Sequence, residues 1–452
     1  MESDSKTLLF EQMPIQKAII KLSVPTVLSS LVMVIYNLAD TYFVGMLNDP
    51  IQNAAVTLAA PVLLAFNAVN NLFGVGSSSM MSRALGRKDY DTVKRSSAFS
   101  FYMSVLCGIL FSLICITSRT PLLRLLGTDS ENLYATTAYI KWTVMFGATP
   151  AILNVVMAYM VRSEGASLHA SLGTMSGCIL NIILDPIFIL PGGLNMGAEG
   201  AGMATFISNY AACLYFFILL FCKRKSTYIS LSPKKAVFKK PVVFGICGVG
   251  IPASVQNLLN VTGMTILNNF TSVYGSTAVA AMGIAQKINI IPLQIALGFS
   301  QGIMPLISYN YASGNIERMK DSLIFSIKTS VTFMIAVTAI YFGFAGNLTH
   351  LFIDNTEIVA YGTSFLRGMC LSLVFLNMDF IAVGVFQACG MGKLSFAFAV
   401  MRKVVLEIPA LFILNATVGL YGLAYAQTAA EIILAVIAAA VLKIMFRKLK
   451  NN

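Results

Sequence analysis

Two aspartates, Asp40 and Asp185, stand inside long apolar stretches of this 452-residue chain. A charge at the centre of a membrane helix costs about 2.5–3.5 kcal/mol on insertion scales, so a chain keeps one where it faces a protein-lined, wet cavity and works there. Tyr36 precedes Asp40 by four residues and Asn181 precedes Asp185 by four, a spacing that puts each pair on one helix face. Removal from water disfavours the charged form of a carboxylate, and a second carboxylate nearby disfavours it further. Such a pair is suited to holding a proton or small cation and releasing it when the cavity opens to water. Tyr36, Asn154 and Asn181 can hydrogen-bond either protonation state. Pro186 directly follows Asp185 and, lacking an N–H, loosens the helix there, as Pro25 does on the Asp40 helix.

A second polar set lies further along the chain: Gln256, Asn257, Asn260, Asn268, Asn269, Gln286, Lys287, Asp379, Arg402, Lys403 and Glu407. Lys287 and Asp379 are expected either to pair within the membrane or to line a cavity. Arg402, Lys403 and Glu407 read as a structural charge cluster, with Glu407 one turn from Lys403.

The elements that must position these groups follow from composition. Hydrophobic residues make up 57% of the chain, charged residues 11%, and the mean hydropathy is +0.77; an ordinary soluble domain carries about 25% charged residues. The chain is therefore expected to be an integral membrane protein. Twelve apolar segments are predicted, at 17–44, 54–82, 96–117, 132–160, 168–190, 200–222, 242–273, 278–310, 321–345, 357–387, 394–416 and 421–446. Each reaches or approaches the ~20 residues that cross ~30 Å of hydrocarbon.

The net charge of +12 does not point to nucleic acid, because the cations are sorted by loop. One side carries Arg83, Arg87, Lys88, Lys94, Arg95 and Arg162, the basic run from Lys223 to Lys240, then Arg318, Lys320, Lys393, Arg447, Lys448 and Lys450; the other side carries Arg119 and Arg124. This bias predicts that both termini are cytoplasmic, which an even number of spans satisfies. Asp40 and Asp185 then lie roughly 7–9 Å below the outer boundary at ~1.5 Å per residue. The polar, acid-containing N-terminus argues against a cleavable signal peptide. The eight cysteines lie in or at the ends of apolar segments, fit no metal spacing and read as packing residues. The 23 methionines and 30 phenylalanines suit a promiscuous cavity, although most are expected to face lipid.

The chain also repeats itself. Ser23-Val24-Pro25 opens the first segment and Gly250-Ile251-Pro252 the seventh; Ala84-Leu85-Gly86 follows the second and Ala312-Ser313-Gly314 the eighth. Gly165 and Gly390 follow the fourth and tenth, and Gly197-x-x-Gly200-x-x-x-Ala204 returns as Gly419-x-x-Gly422-x-x-x-Ala426. A parallel duplication predicts an N-terminal six-helix lobe (1–222), a basic cytoplasmic linker (223–241) and a C-terminal six-helix lobe (242–452), related by a pseudo-two-fold axis along the membrane normal. The position matching Asp40 is Leu267 or Asn268, so the second copy lacks that acid, while Glu407 falls close to the position of Asp185. No Walker A motif, metalloprotease signature or hydrolase signature is present, and the histidines are His169 and His350. A transporter that uses an ion gradient or a downhill flow is expected, rather than an enzyme or an ATP-driven pump.

These residues resemble the MATE (multidrug and toxic compound extrusion) transporters, most closely the bacterial DinF-like branch that includes MepA-type drug pumps. The resemblance runs from about residue 12 to 446. It is carried by Pro25 with Tyr36–Asp40, by Asn70-Asn71-Leu72-Phe73-Gly74-Val75-Gly76, Ser82-Arg83-Ala84-Leu85-Gly86 and Arg162-Ser163-Glu164-Gly165, and by Asn181-Ile182-Ile183-Leu184-Asp185-Pro186. It implies an all-α polytopic membrane protein of twelve helices in two lobes, exporting organic cations in exchange for H⁺ or, in some members, Na⁺. It assigns ion coupling to Asp40 and Asp185, with Tyr36, Asn154, Asn181 and Thr205 around them. Another branch couples through acids of the C-terminal lobe; there Gln256 stands near a position where that branch carries Glu, and Asp379 aligns approximately.

The expectation is thus a proton-coupled multidrug exporter of a bacterial cytoplasmic membrane, working by alternating access. It would need no cofactor beyond the coupling ion, no metal other than a possible Na⁺ at Asp40 and Asp185, no nucleic acid and no obligatory protein partner. Its partners would be small organic cations and the bilayer. The alternatives are Na⁺ coupling, or a flippase for a lipid-linked or natural-product substrate.

Overall fold

The computed structural model describes residues 8–236 and 238–451. The start of the polar N-terminus and one residue of the basic linker, Val237, lie outside the described residues. Within them the secondary structure is helical throughout. The first lobe is built from α1 (Ile15–Gly45), α2 (Pro50–Gly86), α3 (Tyr90–Thr117), α4 (Leu133–Phe146 with Ala148–Ser163), α5 (Ser167–Ile189) and α6 (Gly197–Cys222). The second is built from α7 (Lys240–Ser272), α8 (Ser276–Ala312), α9 (Ile316–Gly343), α10 (Thr356–Cys370 with Leu373–Ala388), α11 (Gly392–Val400, Met401–Glu407 and Ile408–Val418) and α12 (Leu420–Asn451).

Among the described residues nine of these helices are long and apolar enough to cross a membrane unbroken; the paired halves of α4 and of α10, bent by 49° and 42°, bring the number to eleven when each pair is taken as one broken span. The remaining segment, α11, carries Arg402, Lys403 and Glu407 close together and buries all three. The twelve segments read from hydropathy therefore each meet a helix or a broken helix, with ends that move by a few residues.

Helix ends follow local chemistry. The Asp89 carboxylate caps α3 by accepting the Thr92 N–H at 3.0 Å and its hydroxyl at 2.6 Å. Asn315 and Asn355 cap α9 and the first half of α10 in the same way. Wide π turns interrupt α2 at Asn71–Val75, α4 at Lys141–Phe146 and α11 at Met401–Glu407; such turns re-aim the side chains they carry. Pro25 and Pro186 lie within continuous helices. Around Pro25, Ser23 and Thr26 donate their hydroxyls to the Ile19 and Leu22 carbonyls at 2.7 and 2.9 Å.

The lobes meet where α1 and α2 pack on α7 and α8. Small residues set the approach: a Cβ on Gly250 would collide with the Leu72 carbonyl, and one on Gly86 with the Tyr309 carbonyl. Among the described residues, the hydrogen bonds that join the lobes run from mid-depth to the basic face. Ser254 donates to Ala68 O at 2.5 Å, Ser79 to Gln387 O at 2.5 Å and Ser308 to Ser79 O at 3.3 Å. At that face the short helix Leu8–Gln12 lies across the seam. Phe10 stacks on Tyr309 at 4.7 Å, the Tyr309 hydroxyl donates to Glu11 at 2.7 Å, and Arg318 donates to Phe10 O at 2.7 Å. The linker after α6 is fastened to the first lobe by Lys235–Asp91 at 2.7 Å and by the Tyr102 hydroxyl on Leu231 O at 2.9 Å. The molecule is closed at its basic face, and no hydrogen bond among the described residues ties the lobes together at the other.

Candidate ion-coupling site in the N-terminal lobe

Helices α1, α5 and α6 pack together, and their polar residues meet near the end of the lobe away from the basic face. Asp40 lies five residues before the end of α1 and Asp185 four before the end of α5, so both sit roughly 6–8 Å inside it at ~1.5 Å per residue. Tyr36 and Asn181 lie one turn deeper, and Thr205 faces them from α6. The site therefore has two tiers, carboxylates above and neutral hydrogen-bonding groups below.

Asp185 and Asn181 are buried, with 0% and 1% of their surface exposed. With its amide turned to satisfy both neighbours, Asn181 donates Nδ2 to Asp185 Oδ2 at 2.9 Å and to Oδ1 at 3.3 Å, while its Oδ1 accepts the Thr205 N–H at 3.1 Å. Tyr36 reaches the Thr205 side chain. Asp40 is half-buried, and its Oδ1 is sealed from water without a hydrogen-bond donor. Asp40 acts electrostatically on Asp185, and no cation among the described residues acts on either. Two acids thus lie close enough to act on each other with no counter-charge among the described residues, and each disfavours the other's ionisation.

One group at this site carries no signal in the four-residue pattern, and one group expected there lies elsewhere. Tyr139 of α4 is buried and interacts electrostatically with Asp40, Tyr36 and Asp185; it was one aromatic among many in an apolar run. Asn154 is not brought to the carboxylates. It donates to Asn209 Oδ1 at 2.9 Å and to Pro150 O at 2.8 Å, joining α4 to α6.

The C-terminal lobe arranges its charges differently. The wide turn of α11 turns Arg402, Lys403 and Glu407 inward. Lys403 Nζ lies 2.6 Å from Glu407 Oε2, and Arg402 Nε lies 2.6 Å from Glu431 Oε1 of α12 and 3.8 Å from Asp379 Oδ2 of α10. Lys287 and Asp379 do not form a pair: Lys287 is exposed on α8 while Asp379 turns to Arg402. Glu431 completes the network, and the signal for it was the same as for Asp40, a carboxylate within an apolar helix. Each acid of this lobe's buried cluster faces a base, unlike those of the first lobe. Gln256 lies elsewhere, with Asn257 and Asn260 in a cavity of about 130 Å³ between the lobes, 3.4 Å from Gln387 Nε2.

This geometry can be set against known proteins. The family profile described as MatE matches residues 25–187 and again 252–413. The two matches begin at Pro25 and Pro252, the prolines inside α1 and α7, and fall one in each lobe. The chain belongs to the MatE family. This MatE protein is 35% identical over 437 residues to the multidrug export protein MepA of Staphylococcus saprophyticus, a comparison that covers 96% of this chain and 95% of the relative. It is 36% identical over 433 residues to the multidrug export protein MepA of Staphylococcus aureus strain MRSA252, covering 95% and 93%. Among solved structures it resembles one described as the outward-facing conformation of a multidrug resistance MATE family transporter of the MOP superfamily. The TM-score is 0.92 at 27% identity, over 99% of this chain and 98% of that one. The MatE assignment agrees with the resemblance read from the motifs, and the two repeated lobes agree with the internal duplication.

Proposed function

We propose that this MatE protein is a secondary active exporter of organic cations, driven by an inward gradient of H⁺ and working by alternating access. The observation that carries the coupling assignment is the uncompensated pair: Asp40, with its donorless Oδ1, acts on the buried Asp185, and no basic residue among the described residues acts on either. Support for the export of drugs comes from the two MepA relatives and the multidrug transporter structure.

In this reading the basic face is cytoplasmic, following the charge bias, and the hydrogen bonds between the lobes lie on that side. A proton arriving from outside neutralises the Asp40–Asp185 pocket, and Asn181, Tyr36 and Thr205 adapt their hydrogen bonds to the new state. Loss of charge removes the attraction for an organic cation and favours its release. Helix α1 carries the change inward, because Asp40 at one end and the Pro25 region packed on α8 at the other belong to one helix; Ser23 lies against Gly302 and Val27 against Gly298 there. Re-ionisation toward the cytoplasm restores two negative charges for the next cation.

The test is efflux of a fluorescent lipophilic cation from proteoliposomes under an imposed pH gradient or an imposed Na⁺ gradient, with wild type, Asp40→Asn and Asp185→Asn. Flux driven by pH and lost in both variants supports the proposal. Flux driven by Na⁺ alone replaces H⁺ by Na⁺ at the same pocket if both variants lose it, and moves coupling to the C-terminal lobe if both keep it. No cation flux under either gradient favours the flippase alternative.

A further inference from the structure

At the basic face, α9 and α12 barely touch, and the wedge between them is a cavity of about 980 Å³ open to the side of the molecule. Its walls change character with depth. The rim carries Lys320 on α9 and Lys443, Arg447 and Lys450 on α12, all exposed. Deeper, Leu323, Ile324 and Ile327 face Ala438, Ala439 and Leu442 across a floor that includes Met378. From Lys320 to Ile327 the groove descends roughly 10 Å, and from Lys450 to Ala438 roughly 18 Å, at ~1.5 Å per residue.

The charges at the rim are unspent. Among the described residues none of the four cations makes an ion pair, and the acid lining the cavity is Glu317. Four positive side chains against one negative leave a net +3 at the mouth; Asp321, exposed one residue beyond Lys320, is the nearest further acid along α9. An apolar slot of this depth, opening sideways into hydrocarbon and crowned by cations at the membrane surface, has the two halves of a phospholipid written into its walls. Basic pockets between helices at a membrane face are suited to anionic headgroups.

We infer that the α9–α12 wedge is a binding site for one anionic phospholipid of the leaflet at the basic face. Lys320, Lys443 and Arg447 hold the headgroup phosphate, and an acyl chain lies along Ile324, Ile327 and Ala439. Charge complementarity selects the anionic headgroup, and the slot selects a lipid over a free anion. The site is remote from the Asp40–Asp185 pocket and independent of the transport assignment. A lipid held between α9 and α12 would also brace the helix that carries Glu431.

The experiment is native mass spectrometry of the purified full chain, titrated with phosphatidylglycerol, phosphatidylcholine or inorganic phosphate. The variants are Lys320→Gln/Lys443→Gln/Arg447→Gln and, separately, Ala439→Trp, which fills the slot from an exposed position without touching the charges. Wild type is expected to retain one phosphatidylglycerol in preference to phosphatidylcholine, by about tenfold or more. Both variants should lose that preference while remaining monodisperse with unchanged circular dichroism. Equal retention of the two lipids, retention undiminished in either folded variant, or displacement of the lipid by inorganic phosphate would overturn the assignment.

Discussion

Asn181 lies one helical turn from Asp185 and donates to its carboxylate at 2.9 Å, while taking the Thr205 N–H with its own oxygen. The amide is therefore fixed from both sides, and it ties α5 to α6 at the level of the acid. A hydrogen bond to a charged group contributes about 1.5–3 kcal/mol. Asn181→Ala should cut pH-driven efflux in proteoliposomes by about tenfold or more, while Asn154→Ala, which removes a group bonded elsewhere, should cost less. Equal losses in the two variants would remove Asn181 from its special place at the site.

The Arg402–Glu431 pair, at 2.6 Å with both side chains buried, invites the opposite kind of test. Removing one partner of a buried pair leaves an uncompensated charge and typically costs about 3–5 kcal/mol, whereas replacing all members by apolar groups of similar size is often neutral. Arg402→Ala should lower the thermal midpoint of the detergent-solubilised protein sharply. The combined change Arg402→Met/Glu431→Leu/Asp379→Leu should recover most of it. A recovered fold with normal efflux would mark the network as structural; recovered fold without efflux would give the C-terminal lobe a part in transport.

Gly250 meets the Leu72 carbonyl with no room for a Cβ, and a backbone carbonyl cannot step aside as a flexible side chain can. Gly250→Val should keep the lobes from closing at the basic face. In a cysteine-free background, a cysteine placed at Gln256 should then react several-fold faster with a thiol reagent supplied from the basic side. An unchanged rate would mean that the seam closes elsewhere.

Asp89 offers a pH test outside the membrane. The two Thr92 donors hold its carboxyl below the usual carboxylate range. A lowered folded-state value means that the stabilisation is fully present above the unfolded value of about 3.9 and fades as pH falls through the folded one. Asp89→Ala should therefore cost about 1 kcal/mol at neutral pH, and the difference from wild type should shrink as pH falls below about 3.9. Thermal unfolding in a series from pH 7 down to about pH 2 measures both.

Much of this molecule was legible in the chain because a bilayer imposes a one-dimensional rule. Every buried backbone group must be paired within its own helix, so apolar length alone marks where each helix runs, and the segment predicted at 17–44 is found at Ile15–Gly45. Asp40 and Asp185 stood out for the same reason: a carboxylate in an apolar run is expensive wherever the helix goes. The duplication showed through Pro25 and Pro252 because each proline stands at a matching place inside the first long helix of its lobe, Ile15–Gly45 and Lys240–Ser272, and not at the helix opening that the sequence pattern suggests.

What the sequence by itself determined is the set of helices, the doubling into two lobes and the identity of the acids in the first. The tertiary structure alone decided partners. Asp379 is expected from the sequence to pair with Lys287 or to line a cavity, and packing of α10 against α11 turned it to Arg402 instead; Glu431 entered because α12 folds back on the wide turn of α11. Asn154 went to Asn209 rather than to a carboxylate. Hydropathy and helical period are sums over near neighbours, whereas a pairing across 29 residues depends on how whole helices cross, and that is settled only when the side chains of the packed helices fill space together.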